Sequence, residues 1–117
     1  MGARSRRKGA VFEREVAELF RQAGVPAERN LSECRTGNAG DLELAAWCPL
    51  SVQVKVGERP NVWEAIREAQ ESAGETLVPV AILRRNGRGS RPPEDLAVLP
   101  LDEFLDLVRG LRAAGWW

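Results

Sequence analysis

The sequence predicts one α/β domain in which helices flank a mixed β-sheet, with the element order α-β-β-β-α-β-β-α. Three observations support this class: amphipathic helical spacing near both ends, alternating apolar and polar residues before the middle, and a capped helix followed by an apolar strand. The chain of 117 residues, 44% hydrophobic and 29% charged, is long enough to bury a core.

The first helix is predicted over residues 8–23. Phe12, Val16 and Phe20 recur at helical spacing, and Gly24 stands where the pattern ends. We therefore expect this helix to pack its apolar stripe against the sheet.

Three strands are predicted next, over residues 27–33, 41–47 and 50–56. The second and third alternate apolar and polar residues, the period of two that is typical of strands. If they form a hairpin, their apolar residues face the core and their polar residues share the opposite face. The residues expected on that polar face are Asp41, Glu43, Gln53 and Lys55.

The central helix has recognisable signals at both ends. Asn61 is a predicted N-cap with Glu64 three residues later, as in a capping box, and Gly74 is the predicted stop. The residues expected to be buried on this helix are Val62, Ile66, Ala69 and Ala73.

The last third of the chain predicts two strands and a helix. A strand is expected over residues 76–83, where Pro79 indicates an edge or a bulge. Asn86–Gly87 is a turn signal, a further strand is expected near residues 96–99, and an amphipathic helix over residues 102–114.

Composition excludes several kinds of chemistry. Histidine and tyrosine are both absent, which excludes His-Asn-His nucleases, Ser-His and Cys-His pairs, and phosphotyrosyl intermediates. Cys34 and Cys48 are too few for a zinc site, and we expect neither to form a disulfide. No run of residues has the length and apolarity of a membrane span or a secretory signal, so a cytoplasmic location is expected.

Basic residues are clustered although the formal net charge is zero. One cluster lies in residues 1–8, predicted to be a basic tail, and the other in residues 84–91, predicted to be a loop that faces DNA. The members of the two clusters are Arg4, Arg6, Arg7 and Lys8, and Arg84, Arg85, Arg88 and Arg91.

A third carboxylate can join the polar face of the predicted hairpin. Glu13 borders the apolar stripe of the first helix, so it can point toward the sheet. A divalent metal such as Mg²⁺ prefers hard oxygen ligands, which Asp41 and the amide of Gln53 can supply. Lys55 can then stabilise developing charge or orient a water. The pattern favours hydrolysis of a phosphodiester, although a solvated polar face is the simpler interpretation of Asp41 and Lys55 alone.

Three short motifs occur in a characteristic order: Gly9-x-x-x-Glu13-Arg14-Glu15, then Gly40-Asp41-Leu42-Glu43, then Val52-Gln53-Val54-Lys55. This ordered set resembles the PD-(D/E)XK nuclease superfamily, and within it the Holliday junction resolvases of archaea and some phages. The resemblance covers residues 6–83 and implies a restriction-endonuclease-like fold. It also implies a homodimer that cuts four-way DNA junctions with Mg²⁺ or Mn²⁺, in DNA recombination and repair.

The resemblance implies roles for particular residues. Glu13, Asp41, Gln53 and Lys55 would be catalytic, and the metal ligands would be Asp41, Gln53 and Glu13, with Glu43 as a further candidate. Gln53 stands where the family usually has a glutamate, and an amide binds a cation more weakly than a carboxylate. The DNA contacts expected from the resemblance and from the basic clusters are Arg6, Arg7, Lys8, Arg14, Arg29, Arg35, Thr36, Arg84, Arg85 and Arg88.

Three alternatives remain open on the sequence. The chain could be a general nuclease of linear, flapped or damaged DNA, a DNA-binding relative without activity, or an interaction domain with no nucleic-acid role. Among the tryptophans, Trp63 is expected to pack, whereas Trp116 and Trp117 are expected at a dimer interface or on the chain's own core.

Overall fold

Two β-sheets and three helices form the described part of the fold in a computed structural model. The structure describes residues 3–31 and 40–116, with side chains of the first helix described from residue 8 onward. The predicted element order and the mixed α/β class are confirmed. In chain order the elements are α1 (Ala3–Gln22), β1 (Ala27–Arg29), β2 (Leu42–Leu44), β3 (Leu50–Gly57), α2 (Val62–Ala73), β4 (Val78–Arg85), β5 (Glu94–Val98) and α3 (Leu101–Ala113).

The larger sheet has the strand order β3-β4-β5. β3 and β4 are parallel and are connected through α2, whereas β5 pairs with β4 in the antiparallel sense. β1 and β2 form a separate antiparallel pair. The mixed sheet is therefore present, but β2 does not form the predicted hairpin with β3.

Pro79 lies in the central strand of the larger sheet, so the prediction of an edge was wrong. Val78 donates its N–H to Pro49 on the β3 side, and the N–H that Pro79 lacks would point to the other side. Pairing with β5 begins only at Ala81. Proline is tolerated here because no neighbouring strand needs its donor.

The hydrophobic core is divided by the larger sheet. Phe12, Val16 and Ala17 of α1 pack with Val52 and Val54 of β3 on one face. A smaller cluster lies between α2 and β4 on the other face. Its buried members are Ala65, Ile66, Ala81 and Leu83.

The ends of α2 confirm both predicted caps. The side chain of Asn61 accepts the N–H of Glu64, and Gly74 ends the helix with φ of 58°, a conformation that favours glycine. Of the residues expected to be buried, Val62 is instead partly exposed in the first turn, and Ala65 takes its place in the buried face.

α1 begins at Ala3, earlier than predicted, so residues 3–8 of the basic segment are helical. Arginine, alanine and lysine are favourable helix formers, and no proline interrupts this segment. β1 ends at Arg29, and residues 32 and 33 of the predicted strand lie outside the described residues. β2 is shorter than predicted, because a turn in which Cys48 donates to Ala45 follows it. No helix in the described ranges is long and apolar enough to cross a membrane.

The outer part of the molecule exposes large apolar side chains. No residue of α3 is buried. Trp63 is 83% exposed, so the prediction that it packs was wrong, and Trp116 is 73% exposed and does not lie in the chain's core. Trp117 lies outside the described residues, as does Cys34, whereas Cys48 is buried and free.

Candidate active site

Asp41 connects the two sheets. Its N–H donates to the carbonyl of Val52 (2.8 Å), its own carbonyl accepts the N–H of Asn30 (3.0 Å), and its carboxylate Oδ2 accepts the N–H of Val54 (2.8 Å). The carboxylate therefore takes the place that a main-chain carbonyl would occupy beside β3. Asp41 is 8% exposed, so these contacts hold a charged group within the fold.

Gly40 allows this close approach to β3. A Cβ at this position would lie 2.6 Å from the carbonyl oxygen of Val52, and the residue has φ of +64°. Both features favour glycine. Since Gly40 bridges Val52 in the parallel sense, Asp41 occupies the edge of β3 that an antiparallel hairpin partner would need.

Gln53 and Lys55 point toward α2. The Nε2 of Gln53 donates to Ser72 Oγ at 3.0 Å, and Lys55 Nζ lies 3.0 Å from Glu68 Oε2. Gln53 is buried, whereas the Lys55–Glu68 pair is partly open to solvent. These two predicted site residues therefore share one face of β3, as the alternation of the strand indicates.

Glu13 lies with α1 on the other side of the sheet. Its Oε1 accepts a hydrogen bond from Arg29 Nε at 3.0 Å, in a pair that is largely shielded from solvent. Glu43 is exposed and stands opposite Glu28 in the β1–β2 pair. The polar face predicted for one hairpin is thus divided between two sheets and two helices.

The separation of the predicted donors affects whether they can bind the expected metal ion. No group of three acidic or cysteine residues in the described part of the chain could hold a metal ion. Glu13 is bound to Arg29 and Gln53 to Ser72, and Glu43 lies exposed in β2 opposite Glu28, so the predicted donors are not gathered around Asp41. In this arrangement the predicted donors do not fit a divalent-metal centre.

Arg84 and Arg85 belong to β4 and not to a loop, so that prediction was wrong. Arg84 binds Asp95 (2.8 Å) and Glu15 (2.6 Å), and its guanidinium lies 4.4 Å from the ring centroid of Phe12. The hydrogen bond to Asp95 raises the pKa of Arg84, and the same bond lowers the pKa of Asp95. Both arginines are paired with carboxylates, since Arg85 pairs with Glu94 on the exposed surface.

The other predicted DNA contacts are dispersed. Lys8 and Arg14 are exposed on α1, and Arg88 is exposed beyond β4, while Arg29 is held by Glu13. The remaining predicted contacts fall outside the described side chains and residues. They are Arg6, Arg7, Arg35 and Thr36.

Polar residues that were not predicted surround the predicted site. Glu68 and Ser72 are four residues apart on α2, beside its buried alanines, and this spacing could have indicated partners for β3. Asn30, whose Nδ2 donates to the carbonyl of Gly40 at 3.1 Å, carried no such signal.

Comparisons with protein-family models, with curated proteins and with solved structures found no match for this chain.

Proposed function

We propose that the protein is a metal-dependent DNA endonuclease of the PD-(D/E)XK kind that resolves four-way junctions in the cytoplasm. The observation that carries the proposal is the hydrogen bond from the N–H of Val54 to the carboxylate of Asp41. Val54 lies between Gln53 and Lys55 on β3. Asp41 of the second motif therefore lies beside the strand that carries Gln53 and Lys55 of the third motif. The resemblance in sequence implies the same juxtaposition.

The proposed cofactor is Mg²⁺ or Mn²⁺, which would activate a water for attack on the phosphodiester. Because the predicted donors do not form a metal site as arranged, an active form requires Glu13 to leave Arg29 and Gln53 to leave Ser72.

A catalytically inactive DNA-binding relative is the second candidate. The amide of Gln53 in place of a carboxylate favours it, and so does the pairing of Lys55 with Glu68, which offsets the charge that a nuclease would direct at phosphate. Both candidates expect DNA binding, and cleavage separates them.

The proposed homodimer has a candidate surface on α3. Leu101, Phe104 and Leu105 lie on its apolar stripe and are exposed. Asp102 and Arg109 flank the stripe on one side, about two turns apart. Arg109 pairs with Asp106 of its own helix at 2.6 Å. In an antiparallel pair of α3 helices about a twofold axis, Asp102 of each copy would lie beside Arg109 of the other and add a second carboxylate to it, so the charges of the two copies would be complementary.

Sedimentation equilibrium tests this surface. We expect a dimer that Leu105→Asp converts to a monomer, because the substitution places a charge in the apolar stripe. Leu19→Asp is the matched control, since Leu19 is exposed on α1. A Leu105→Asp protein that is still dimeric would exclude α3 as the interface.

Cleavage of matched four-way, flapped and linear DNA, with Mg²⁺ and with EDTA, tests the activity. We expect nicks in the junction that require Mg²⁺. Asp41→Asn should abolish them, since the amide oxygen can still accept the N–H of Val54 while the charge is lost. Lys55→Ala should abolish them too. Asp41→Ala is the harsher variant because it removes the acceptor as well.

The outcomes separate the candidates. Cleavage of all three substrates alike would indicate a general nuclease, and junction binding without cleavage would indicate the inactive relative. Undiminished cleavage by a folded Asp41→Asn protein would exclude the proposed active site. Glu28→Gln serves as the control, since this exposed carboxylate of β1 has no proposed role.

A further inference from the structure

A basic cleft lies at the end of the larger sheet where the parallel strands β3 and β4 both finish. Its volume is about 450 Å³, and its lining includes Arg59, Arg85, Arg88 and Arg91 with one carboxylate, Glu58. Ligands of open α/β sheets commonly bind outside the carboxyl ends of parallel strands. The position and the charge of this cleft both favour an anionic ligand.

Two of the arginines are held side by side by a tight turn. Arg88 and Arg91 exchange main-chain hydrogen bonds of 2.9 and 3.0 Å, with Gly89 at φ +61° between them. Residues directly opposite in an antiparallel pair have side chains on the same face, with Cβ atoms about 5 Å apart. The turn therefore presents two guanidinium groups together.

The main chain beneath this turn is closely packed. A Cβ at Gly87 would lie 2.7 Å from the carbonyl oxygen of Arg91 and 3.1 Å from the nitrogen of Pro93. Only glycine fits such an approach without a shift of the main chain. The turn is thus fixed against the segment that leads into β5, which limits how far Arg88 and Arg91 can separate.

Positive charge is in excess in the cleft. Arg85 is paired with Glu94, but within residues 3–31 and 40–116 no ion pair joins Arg59, Arg88 or Arg91 to a carboxylate. Like charges directly opposite each other are unfavourable. An anion between the two guanidinium groups removes this repulsion, and guanidinium groups bind phosphate through paired hydrogen bonds.

We propose that Arg59, Arg88 and Arg91 form a cleft that binds phosphates of the DNA backbone. The cleft lies beyond the carboxyl end of β3, whereas Asp41 contacts β3 at Val52 and Val54. This proposal rests on the proposed function, because it takes DNA as the ligand. It adds a contact that holds the DNA through its phosphates and involves no base. Such a contact positions the duplex without reading its sequence.

Binding of fluorescent four-way and linear DNA over a range of salt concentrations tests the cleft. Arg59→Gln, Arg88→Gln and Arg91→Gln should each weaken binding of both DNAs by a similar factor and lower the slope of log K against log salt by about one. Arg67→Gln is the matched control, an exposed arginine on α2 paired with Glu71, and should change neither quantity. Wild-type affinity and salt dependence in all three cleft variants would overturn the proposal.

A second measurement separates failure of the cleft from failure of the proposed nuclease. Inorganic phosphate is titrated while the arginine Nε–Hε resonances are followed by NMR, with chloride at equal ionic strength as the reference. Shifts of Arg88 and Arg91 with phosphate support the cleft even if no DNA is cut. If DNA does not bind and these resonances shift no more than that of Arg67, the cleft is excluded. If DNA is cut while the cleft variants bind normally, the cleft is excluded and the nuclease proposal stands.

Discussion

The two faces of β3 differ in what holds this strand against the neighbouring helices. Toward α1, β3 presents Val52 and Val54, which pack against apolar side chains. Toward α2, the same strand presents Ser51, Gln53 and Lys55, all polar. Gln53 and Lys55 have partners on α2, whereas the buried Oγ of Ser51 has none among the described residues.

The difference shows that one strand can be stabilised in two ways. Apolar packing is non-directional and depends mainly on area and fit, so it needs no particular partner. Buried polar groups need specific partners, and the loss of one partner leaves the other unsatisfied. We therefore expect truncation of a large side chain to lower the free energy of unfolding most on the α1 side of β3. On the α2 side, we expect paired substitutions to show how strongly each polar residue depends on its partner.

The largest effect is expected at Phe12, which is 1% exposed on the α1 face. Phe12→Ala should lower the free energy of unfolding by about 3–5 kcal/mol, because it removes a buried ring and leaves a cavity. Denaturant unfolding followed by circular dichroism measures this loss. Leu19→Ala, at an exposed position of the same helix, should change stability by less than about 0.5 kcal/mol. Similar losses in both variants would contradict the assignment of this face as core.

A smaller effect is expected at Gln53 on the α2 face. Gln53→Leu should lower the free energy of unfolding by about 1–3 kcal/mol, because it leaves the hydroxyl of Ser72 without its donor. Adding Ser72→Ala should recover most of the loss, since replacement of both partners by apolar groups can be nearly neutral. The same unfolding measurement on both variants tests this, and simple additivity of the two substitutions would show that the hydrogen bond is not formed.

The ion pair that covers the α1 face should respond to acid. The hydrogen bond from Arg84 lowers the pKa of Asp95, so the folded protein holds this proton less tightly than the unfolded chain. The stabilisation is full above the ordinary aspartate pKa of about 3.9 and is lost as pH falls toward the lowered value.

Asp95→Asn is the variant that isolates this contribution. At neutral pH it should lose at most about 1 kcal/mol, because the carboxylate is partly exposed and its pair with Arg84 is screened by solvent. Thermal unfolding between pH 2 and pH 7 should show a smaller pH dependence in Asp95→Asn than in the wild type. Equal pH dependence in the two proteins would contradict the pair.

The smallest effect is expected for Lys55 with Glu68. A double-mutant cycle of Lys55→Ala and Glu68→Ala should give a coupling free energy of about 0.2–1 kcal/mol that decreases with salt, since both side chains are partly open to solvent. A much larger coupling would mean that the pair is buried more deeply, and would make the two faces of β3 more alike in their sensitivity.

Periodicity and capping were enough to predict the elements. The apolar spacing around Phe12 gave the buried face of α1, and Asn61 and Gly74 gave the ends of α2, because these signals act within a few residues. The alternation in β3 correctly placed Gln53 and Lys55 on one face.

The pairing of each candidate-site residue with its partner could not be predicted, because the partners come from distant parts of the chain, although the spacing of Glu68 and Ser72 on α2 could have indicated polar partners for β3. Ser72 follows Gln53 by 19 residues, and Arg84 is 69 residues from Glu15. The hairpin prediction failed for a related reason: Asp41 meets β3 through a parallel approach that depends on Gly40 fitting against Val52. Local alternation contains no information about that approach.

Asp41 also covers main-chain groups at the β3 edge of the larger sheet. β3 is its first strand, and an edge strand with open main-chain groups is a template for pairing with another polypeptide. The N–H and the carboxylate of Asp41 cover the Val52 carbonyl and the Val54 N–H there, and add a negative charge. We therefore expect Asp41 to protect this edge against aggregation. In size-exclusion chromatography, Asp41→Ala should form oligomers under conditions in which Asp41→Asn remains dispersed.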